Sequence, residues 1–261
     1  AASDVYKRQV LFGFSSAGSR GWADWLVLST IALGIIVTIF FCRRQLTSAD
    51  PLLNLYVFKY RMFTMTTIIN IAITILMYAD LILLPIFLQD GRGFTALDAG
   101  LLLLPGALIN AFLSPVTGKM FDKFGAKPLF IIGLILIAVS MWAVTDLTSS
   151  TSYLYILIRT IILRIGLAFI TMPLNTAALN ALPRELGSHG SAINNTVRQL
   201  AGAIGTAVII TIYTIQATAH ASALAEAPIF AASAAYKFMF IISIIALILT
   251  LFVPKKKAPV A

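Results

Sequence analysis

Four ionisable side chains interrupt long apolar stretches of this sequence: Asp80, Arg159, Arg164 and Arg198. A charge in apolar surroundings is costly, so such residues usually pair with one another, line a water-filled path or take part in function. Asp80 is the acid of the four, whereas arginine stays protonated at physiological pH. Proton uptake and release is therefore the chemistry that Asp80 could carry.

Asp80 and Arg159 fall at matching positions in two different apolar stretches. Asp80 lies eight residues before Leu88, and Arg159 lies seven residues after Ser152. In helices that rise about 1.5 Å per residue, both would lie about 11–12 Å from the ends of their stretches. Two interpretations stay open: a structural ion pair, and a proton or substrate site in which Arg159 tunes Asp80. Polar side chains that could add to the lining of such a site are Arg164, Asn110, Asn175 and Asn180.

Other kinds of functional site are not indicated by the sequence. It has one cysteine, Cys42, and two histidines, His189 and His220, that lie far apart, so no cluster has metal-ligand spacing. A P-loop for nucleotide binding is absent from the sequence. The formal net charge of +9 does not indicate nucleic acid, because the basic residues flank apolar runs. We therefore expect no enzyme, no metal and no cofactor.

The composition of the chain requires an apolar solvent. Hydrophobic residues make up 59% of the 261 positions and charged residues 11%, against about 25% charge in soluble domains. A transmembrane helix needs about 17–25 apolar residues, and continuous runs of this kind do not alternate as barrel strands do. The sequence therefore predicts an all-α, multi-pass membrane protein. Its predicted spans are Leu26–Cys42, Met62–Leu88, Ala99–Gly118, Leu129–Thr145, Tyr153–Leu174, Ile193–Ile215 and Phe238–Val253.

The loops between these spans differ in charge, and this difference predicts the orientation of the chain. Alternate loops and the C-terminal tail, Lys255–Lys257, carry eleven basic residues, whereas the opposite loops carry three. Basic residues mark the cytoplasmic side of a membrane protein. We therefore expect the protein to lie in the plasma membrane with its C-terminus in the cytoplasm.

The loop between the first two spans has features of a short helix. Asp50 and Pro51 are typical of an N-cap and a first helical residue. The residues that follow would give an apolar face at the membrane surface. An ordinary aromatic and basic anchor without a distinct helix is the alternative. The residues concerned are Leu52, Leu53, Leu55, Tyr56 and Phe58, followed by Lys59, Tyr60 and Arg61.

Near Arg198, small residues are frequent. Arg198 lies close to the end of its span, so we expect its side chain to reach the membrane surface or to make a structural pair. Gly202 and Gly205 lie in a cluster of small residues that favours close helix packing.

The basic loop Gly118–Lys127 has a distinctive spacing. Gly118 would allow close helix contact, Asp122 could cap a helix or pair with a base, and Gly125 would allow a tight turn. Together with Lys123 and Lys127, these residues resemble the G-x-x-x-D-[RK]-x-G-x-[KR] loop of the major facilitator superfamily. The match departs from that pattern at Ala126, where the family often has a second basic residue.

Further stretches resemble the fourteen-span drug:proton antiporters of that superfamily. They cover roughly Val10 to Val253 and include Gly13–Gly18 before Trp22, Leu84–Gln89, Met172–Thr176, Leu182-Pro183 and Asn194–Thr206. The resemblance implies export of drugs or other amphipathic small molecules coupled to protons. It also implies that Asp80 and Arg159 lie on the first and fourth helices of a six-helix bundle, both of which line a central cavity.

The resemblance also predicts the domain organisation. We expect residues 1–25 to hold the end of a truncated helix and an extracellular loop, and 26–61 an inserted span with a cytoplasmic interfacial linker. Residues 62–253 would form the C-terminal six-helix bundle, and 254–261 a basic cytoplasmic tail. The N-terminal bundle of the same transporter would then be the chain's main partner, and we expect no transport by this chain alone. An importer or symporter of the superfamily and a non-transporting half-transporter are the alternatives.

Overall fold

The computed structural model of the protein describes residues 24–47, 51, 53–220 and 226–254. Within these residues the regular structure is helical, as the sequence predicts. The seven longer helices are α1 (Trp25–Thr47), α2 (Arg61–Ile86), α3 (Ala96–Phe124), α4 (Ala126–Trp142), α5 (Tyr153–Asn180), α6 (Gly187–Ala219) and α7 (Ala227–Leu251). Single turns of helix at Leu55–Lys59, Phe87–Gly91 and Arg184–Leu186 adjoin them.

Six of the seven helices are long and apolar enough to cross a bilayer. The exception, α4, has 17 residues, and it begins and ends three residues before the predicted span Leu129–Thr145. Large apolar side chains cover the outside of the helices, and Trp25 and Phe40 of α1 are 78% and 76% exposed. An exterior of this kind is stable in lipid and not in water.

The described chain packs as two compact units. Residues of Ala1–Ala79 and Ala178–Thr211 form unit 1, and residues of Asp80–Ala177 and Ile212–Ala261 form unit 2. The predicted division of the chain at residues 61 and 62 stays a prediction.

Unit 1 buries the linker that follows α1. Val57 of the short helix is fully buried against Phe63, Ala178 and Ile193. Two side chains hold the backbone of the linker: Gln45 Oε1 accepts a hydrogen bond of 3.1 Å from the N–H of Leu53, and His189 Nδ1 accepts one of 3.3 Å from the N–H of Asn54.

The predicted start of the linker helix is wrong. The helix begins at Leu55, and its N-cap is Asn54, whose side chain accepts a hydrogen bond from the N–H of Tyr56. The backbone at Pro51 is not helical, and the expected cap Asp50 lies outside the described residues. The predicted apolar face also differs, since Leu53 and Leu55 pack on the core of unit 1.

In unit 2, α4 and α5 approach each other closely at a pair of glycines. A Cβ atom on Gly133 would lie 2.8 Å from the carbonyl oxygen of Gly166, and a Cβ on Gly166 would lie 2.8 Å from that of Gly133. The two backbones can therefore touch only because both positions lack a side chain. This contact holds α5 against α4 next to the residues described below.

Candidate functional site

Asp80 of α2 and Arg159 of α5 form a salt bridge inside unit 2. Arg159 Nη1 donates to Asp80 Oδ1 at 2.5 Å, and each side chain is 1% exposed. The matching depths predicted from the sequence thus correspond to a direct contact. Pairing of this kind offsets the cost of burying two charges only when further hydrogen bonds satisfy the remaining polar atoms.

The guanidinium of Arg159 has further partners on α4. Arg159 Nε donates to the carbonyl oxygen of Ser140 at 3.1 Å, and Nη2 lies 3.5 Å from the sulfur of Met141. In return, Ser140 Oγ donates to the carbonyl oxygen of Arg159 at 3.1 Å. The bond from Nε holds the guanidinium against α4 through an atom that does not contact Asp80, and the bond from Ser140 Oγ joins the two helices at the same point.

Tyr236 of α7 completes this cluster. Its hydroxyl donates to Asp80 Oδ1 at 3.3 Å, and the guanidinium carbon of Arg159 lies 4.9 Å from the centroid of its ring. Tyr236 is fully buried. We call Asp80, Ser140, Met141, Arg159 and Tyr236 the charged cluster; it joins α2, α4, α5 and α7.

One oxygen of the Asp80 carboxylate remains unused. Oδ1 accepts from both Arg159 and Tyr236, whereas Oδ2 is buried and has no hydrogen-bond partner among the described residues. A buried carboxylate oxygen without a donor is unfavourable when the group is ionised. Oδ2 is therefore the carboxylate atom of Asp80 at which a further donor could bind without displacing Arg159 or Tyr236.

Arg164 and Asn110 meet in a second polar group of unit 2, on α5 and α3. Asn110 Nδ2 donates to the carbonyl oxygen of Arg164 at 3.0 Å. Arg164 is half-buried, and its Nε has no acceptor among the described residues. Asn175 donates to the carbonyl oxygen of Thr171 on its own helix. None of the hydrogen bonds given above for the charged cluster involves Arg164, Asn110 or Asn175.

The residues of the basic loop have separate structural roles. Gly125 has a φ of 78° and joins α3 to α4, which agrees with the predicted tight turn. Lys127 Nζ donates to the carbonyl oxygens of Leu251 and Val253 at 2.6 and 3.3 Å, at the end of α7. A cation there offsets the partial negative charge of the helix C-terminus.

The remaining residues of that loop have no such contacts. Asp122 is exposed and has no hydrogen bond or ion pair among the described residues, and Lys123 lies 5.4 Å from the ring centroid of Phe124. A Cβ on Gly118 would have no atom within 4 Å. The close helix contact expected at Gly118 is therefore not made by the described residues.

In unit 1, Gly202 and Gly205 of α6 lie against α2. A Cβ on Gly205 would lie 3.0 Å from Cα of Ile75, and one on Gly202 would lie 3.3 Å from the ring of Tyr78. Arg198 is half-buried and makes no ion pair with a described residue. The small residues thus permit close packing, as expected from their clustering.

Sequence reasoning missed several polar residues of the two units. Ser140 and Tyr236 belong to the charged cluster, and an amide pair in unit 1 joins α2 to α6. In that pair, Asn70 Nδ2 donates to Asn194 Oδ1 at 2.7 Å, and both residues are 6% exposed. Asparagine inside an apolar run is a signal that could have identified the pair. No comparable signal exists for the backbone oxygen of Ser140.

Comparison with known proteins identifies a family. The sequence model of the Major Facilitator Superfamily matches residues 10–206. A curated relative from Bacillus subtilis (strain 168), the uncharacterized MFS-type transporter YhcA, is 48% identical over 217 residues, which is 83% of this chain and 41% of the relative.

Two further relatives have names that state a function. The lincomycin resistance protein LmrB of Bacillus subtilis (strain 168) is 39% identical over 259 residues, covering 95% of this chain and 54% of the relative. The multidrug export protein EmrB of Escherichia coli (strain K12) is 30% identical over 210 residues, covering 78% of this chain and 41% of the relative. The chain thus spans about half the length of the curated relatives that it matches.

Proposed function

The chain belongs to the major facilitator superfamily, and on this premise we propose that it is the C-terminal part of a proton-coupled exporter of drugs or other amphipathic small molecules. It is a multi-pass membrane protein of a transporter family, not of an enzyme family. Small-molecule transport therefore follows from the family, whereas export, drugs and protons are the proposal.

Export of drugs is supported by the relatives. Proteins named for lincomycin resistance and multidrug export match this chain over most of its length. The resemblance seen in Met172–Thr176 and Asn194–Thr206 points to the same group. An importer or symporter would share the fold, so the direction of transport rests on these relatives.

Proton coupling rests on the free Oδ2 of Asp80 in the charged cluster. Asp80 is the acid that lies in the interior of a described span, and its charge is balanced by Arg159. When Asp80 takes up a proton, its attraction for Arg159 weakens, while the bonds between Arg159 and Ser140 persist. Protonation would then loosen α2 and α7 from the α4–α5 pair.

Such a step couples a proton to helix packing. The charged cluster is almost fully buried in the described conformation, so a proton reaches Asp80 only when the helices separate. Because a proton on Asp80 weakens the ion pair that joins the helices, it shifts the population toward a conformation in which they separate. This is the reciprocal linkage that an antiporter requires.

The experiment that tests proton coupling removes the ionisable group with little change in shape. In the native protein, carrying whatever sequence flanks this chain in its gene, Asp80→Asn should abolish or strongly alter proton-driven efflux of a dye from everted vesicles. Asp90→Asn is the matched control, because Asp90 is an exposed acid at the end of the same span. Arg159→Ala should change the pH dependence of efflux. If Asp80→Asn transports like the parent from about pH 6 to 8, a range on both sides of neutrality, Asp80 is a structural partner only.

The orientation is also part of the proposal. With eleven basic residues on one side and three on the other, the positive-inside rule places the Gly118–Lys127 loop and the C-terminal tail in the cytoplasm. The tail residues Lys255–Lys257 lie outside the described residues. Single cysteines at Lys123 and Glu226, in a Cys42→Ser background, should react with an impermeant reagent from opposite sides of the membrane. Labelling of both in intact cells would contradict this orientation.

A further inference from the structure

Arg164 is held in place through its stem and its backbone. Its aliphatic chain lies over Gly106 of α3, where an added Cβ would come within 2.7 Å of Arg164 Cγ. The amide of Asn110, four residues further along α3, donates to the carbonyl oxygen of Arg164 at 3.0 Å. Gly106 and Asn110 thus fix the arginine, yet neither neutralises its charge.

No described carboxylate pairs with Arg164. The one acid in the interior of a described span, Asp80, is taken by Arg159. The other described acids, which lie at helix ends or in loops, make no salt bridge to it, and its Nε is buried without an acceptor. These other acids are Asp24, Asp90, Asp98, Asp122, Asp146, Glu185 and Glu226.

The position of Arg164 makes this lack of a partner costly. It lies eleven residues from the start of α5 at Tyr153, which corresponds to about 16 Å along a helix and so to the middle of a bilayer core of about 30 Å. A charge at this depth needs a counter-charge or water. The planar guanidinium matches the two oxygens of a carboxylate, to which it can donate two parallel hydrogen bonds.

We propose that Arg164 is a binding site for a carboxylate group. The carboxylate belongs either to a transported compound or to an acidic side chain of the protein outside this chain. Gly106, which leaves room for the stem of Arg164, and Asn110, which holds its backbone, are positioning residues. The inference rests on the proposed function because it assumes that Arg164 lies on a substrate path. The test of binding itself requires no transport.

A matched pair of probes isolates the charge of the ligand. Pyrenebutyrate and its methyl ester differ only in the carboxylate, and their binding to the purified native protein in lipid nanodiscs can be followed by fluorescence anisotropy. If the carboxylate comes from the transported compound, the acid should bind more tightly than the ester by about tenfold to hundredfold, the range for hydrogen bonds to a charged group. Arg164→Gln should remove this preference, and Arg164→Lys should keep part of it.

Two further variants separate position and charge from general damage. Gly106→Ala leaves the charge of Arg164 intact but displaces its stem, so the preference for the acid should fall. Arg92→Gln is the matched control: Arg92 is also half-buried with an unpartnered Nε, but it follows the helix end at Gly91 instead of lying in the middle of a span. This control should keep the preference of the parent.

The second source of the carboxylate gives a different result. If an acidic side chain of the protein pairs with Arg164, the parent should show no preference for the acid over the ester. Arg164→Glu should then inactivate the transporter, and suppressors selected in the whole gene should replace one acidic residue by Lys or Arg. The proposal is overturned if the parent binds acid and ester equally and no such suppressor arises. It is also overturned if Arg164→Gln keeps the preference for the acid. If the parent prefers the acid over the ester but shows no proton-driven efflux, the proposed function is rejected and the carboxylate site is not.

Discussion

Two buried polar pairs, both anchored on α2, differ in charge. In unit 1, Asn70 and Asn194 are joined by an amide hydrogen bond of 2.7 Å. In unit 2, Asp80 and Arg159 are joined by a salt bridge of 2.5 Å. The two pairs have similar burial, but one consists of neutral amides and the other of opposite charges.

This difference has a physical consequence for each pair. An amide pair carries no charge that a proton could change, so it joins the helices in the same way at every pH. An ion pair costs more to bury and needs additional partners, which Ser140 and Tyr236 supply. Because one of its members can be protonated, the ion pair can also be weakened reversibly. Under the proposed proton coupling, the polar pair of unit 2 would act as a switch, whereas the polar pair of unit 1 would serve assembly.

The largest effect should come from breaking the ion pair on one side only. Arg159→Leu leaves Asp80 buried without a counter-charge, and we expect a loss of about 3–5 kcal/mol in the free energy of unfolding. The loss should be greater at pH 8 than at pH 5, because protonation of Asp80 removes the unpaired charge. Thermal unfolding of the purified variant and the parent at both pH values measures this loss of stability.

The double variant Asp80→Leu/Arg159→Leu sharpens this test. Replacing both charges by apolar groups should recover most of the stability while leaving efflux uncoupled from protons. If the single variant is as stable as the double variant at both pH values, the ion pair is not desolvated as the structure indicates.

The next largest effect should come from the glycine contact of unit 2. Gly133→Ala forces the new methyl group against the backbone of α5, and overpacking of this kind costs about 1–3 kcal/mol. Gly118→Ala is the matched control, since its methyl group would enter open space. Equal unfolding midpoints for the two variants would contradict the close approach of α4 and α5.

A smaller effect is expected from the amide pair. Interhelical hydrogen bonds in membranes contribute about 0.6 kcal/mol on average and about 1.7 kcal/mol at most. A double-mutant cycle of Asn70→Ala and Asn194→Ala should give a coupling energy in this range, and the coupling should be the same at pH 5 and pH 8. A coupling that changes with pH would end the distinction between the two pairs.

The smallest effect should come from the cap on α7. Lys127→Met removes the hydrogen bonds to Leu251 and Val253, and the loss of a cation at a helix C-terminus costs about 0.3–1 kcal/mol. Lys123→Met is the control in the same loop, because Lys123 is exposed and makes no hydrogen bond or ion pair with a described residue. A midpoint of unfolding that falls equally in both variants would indicate a general effect of loop charge.

The sequence alone determined properties that depend on position along a helix. Long apolar runs predicted where each span lies, because any helix that crosses lipid needs a minimum apolar length. The helix ends were predicted less well: α7 begins at Ala227, eleven residues before the predicted Phe238. Fixed rise per residue also placed Asp80 and Arg159 at one depth, and the two side chains do meet. Local motifs and their spacing were sufficient to indicate the family, which the match to residues 10–206 confirms.

Tertiary structure decided which faces of the helices meet. A span that is apolar on all sides has no stripe to show its rotation, so sequence could not indicate that Tyr236 and the carbonyl of Ser140 surround Arg159. For the same reason, Val57 turned out to be buried in the linker that was expected to lie on the membrane. Depth is set by the chain itself, whereas neighbours are set by packing between segments that lie far apart in sequence. That is why the charged pair could be predicted and the residues that hold it could not.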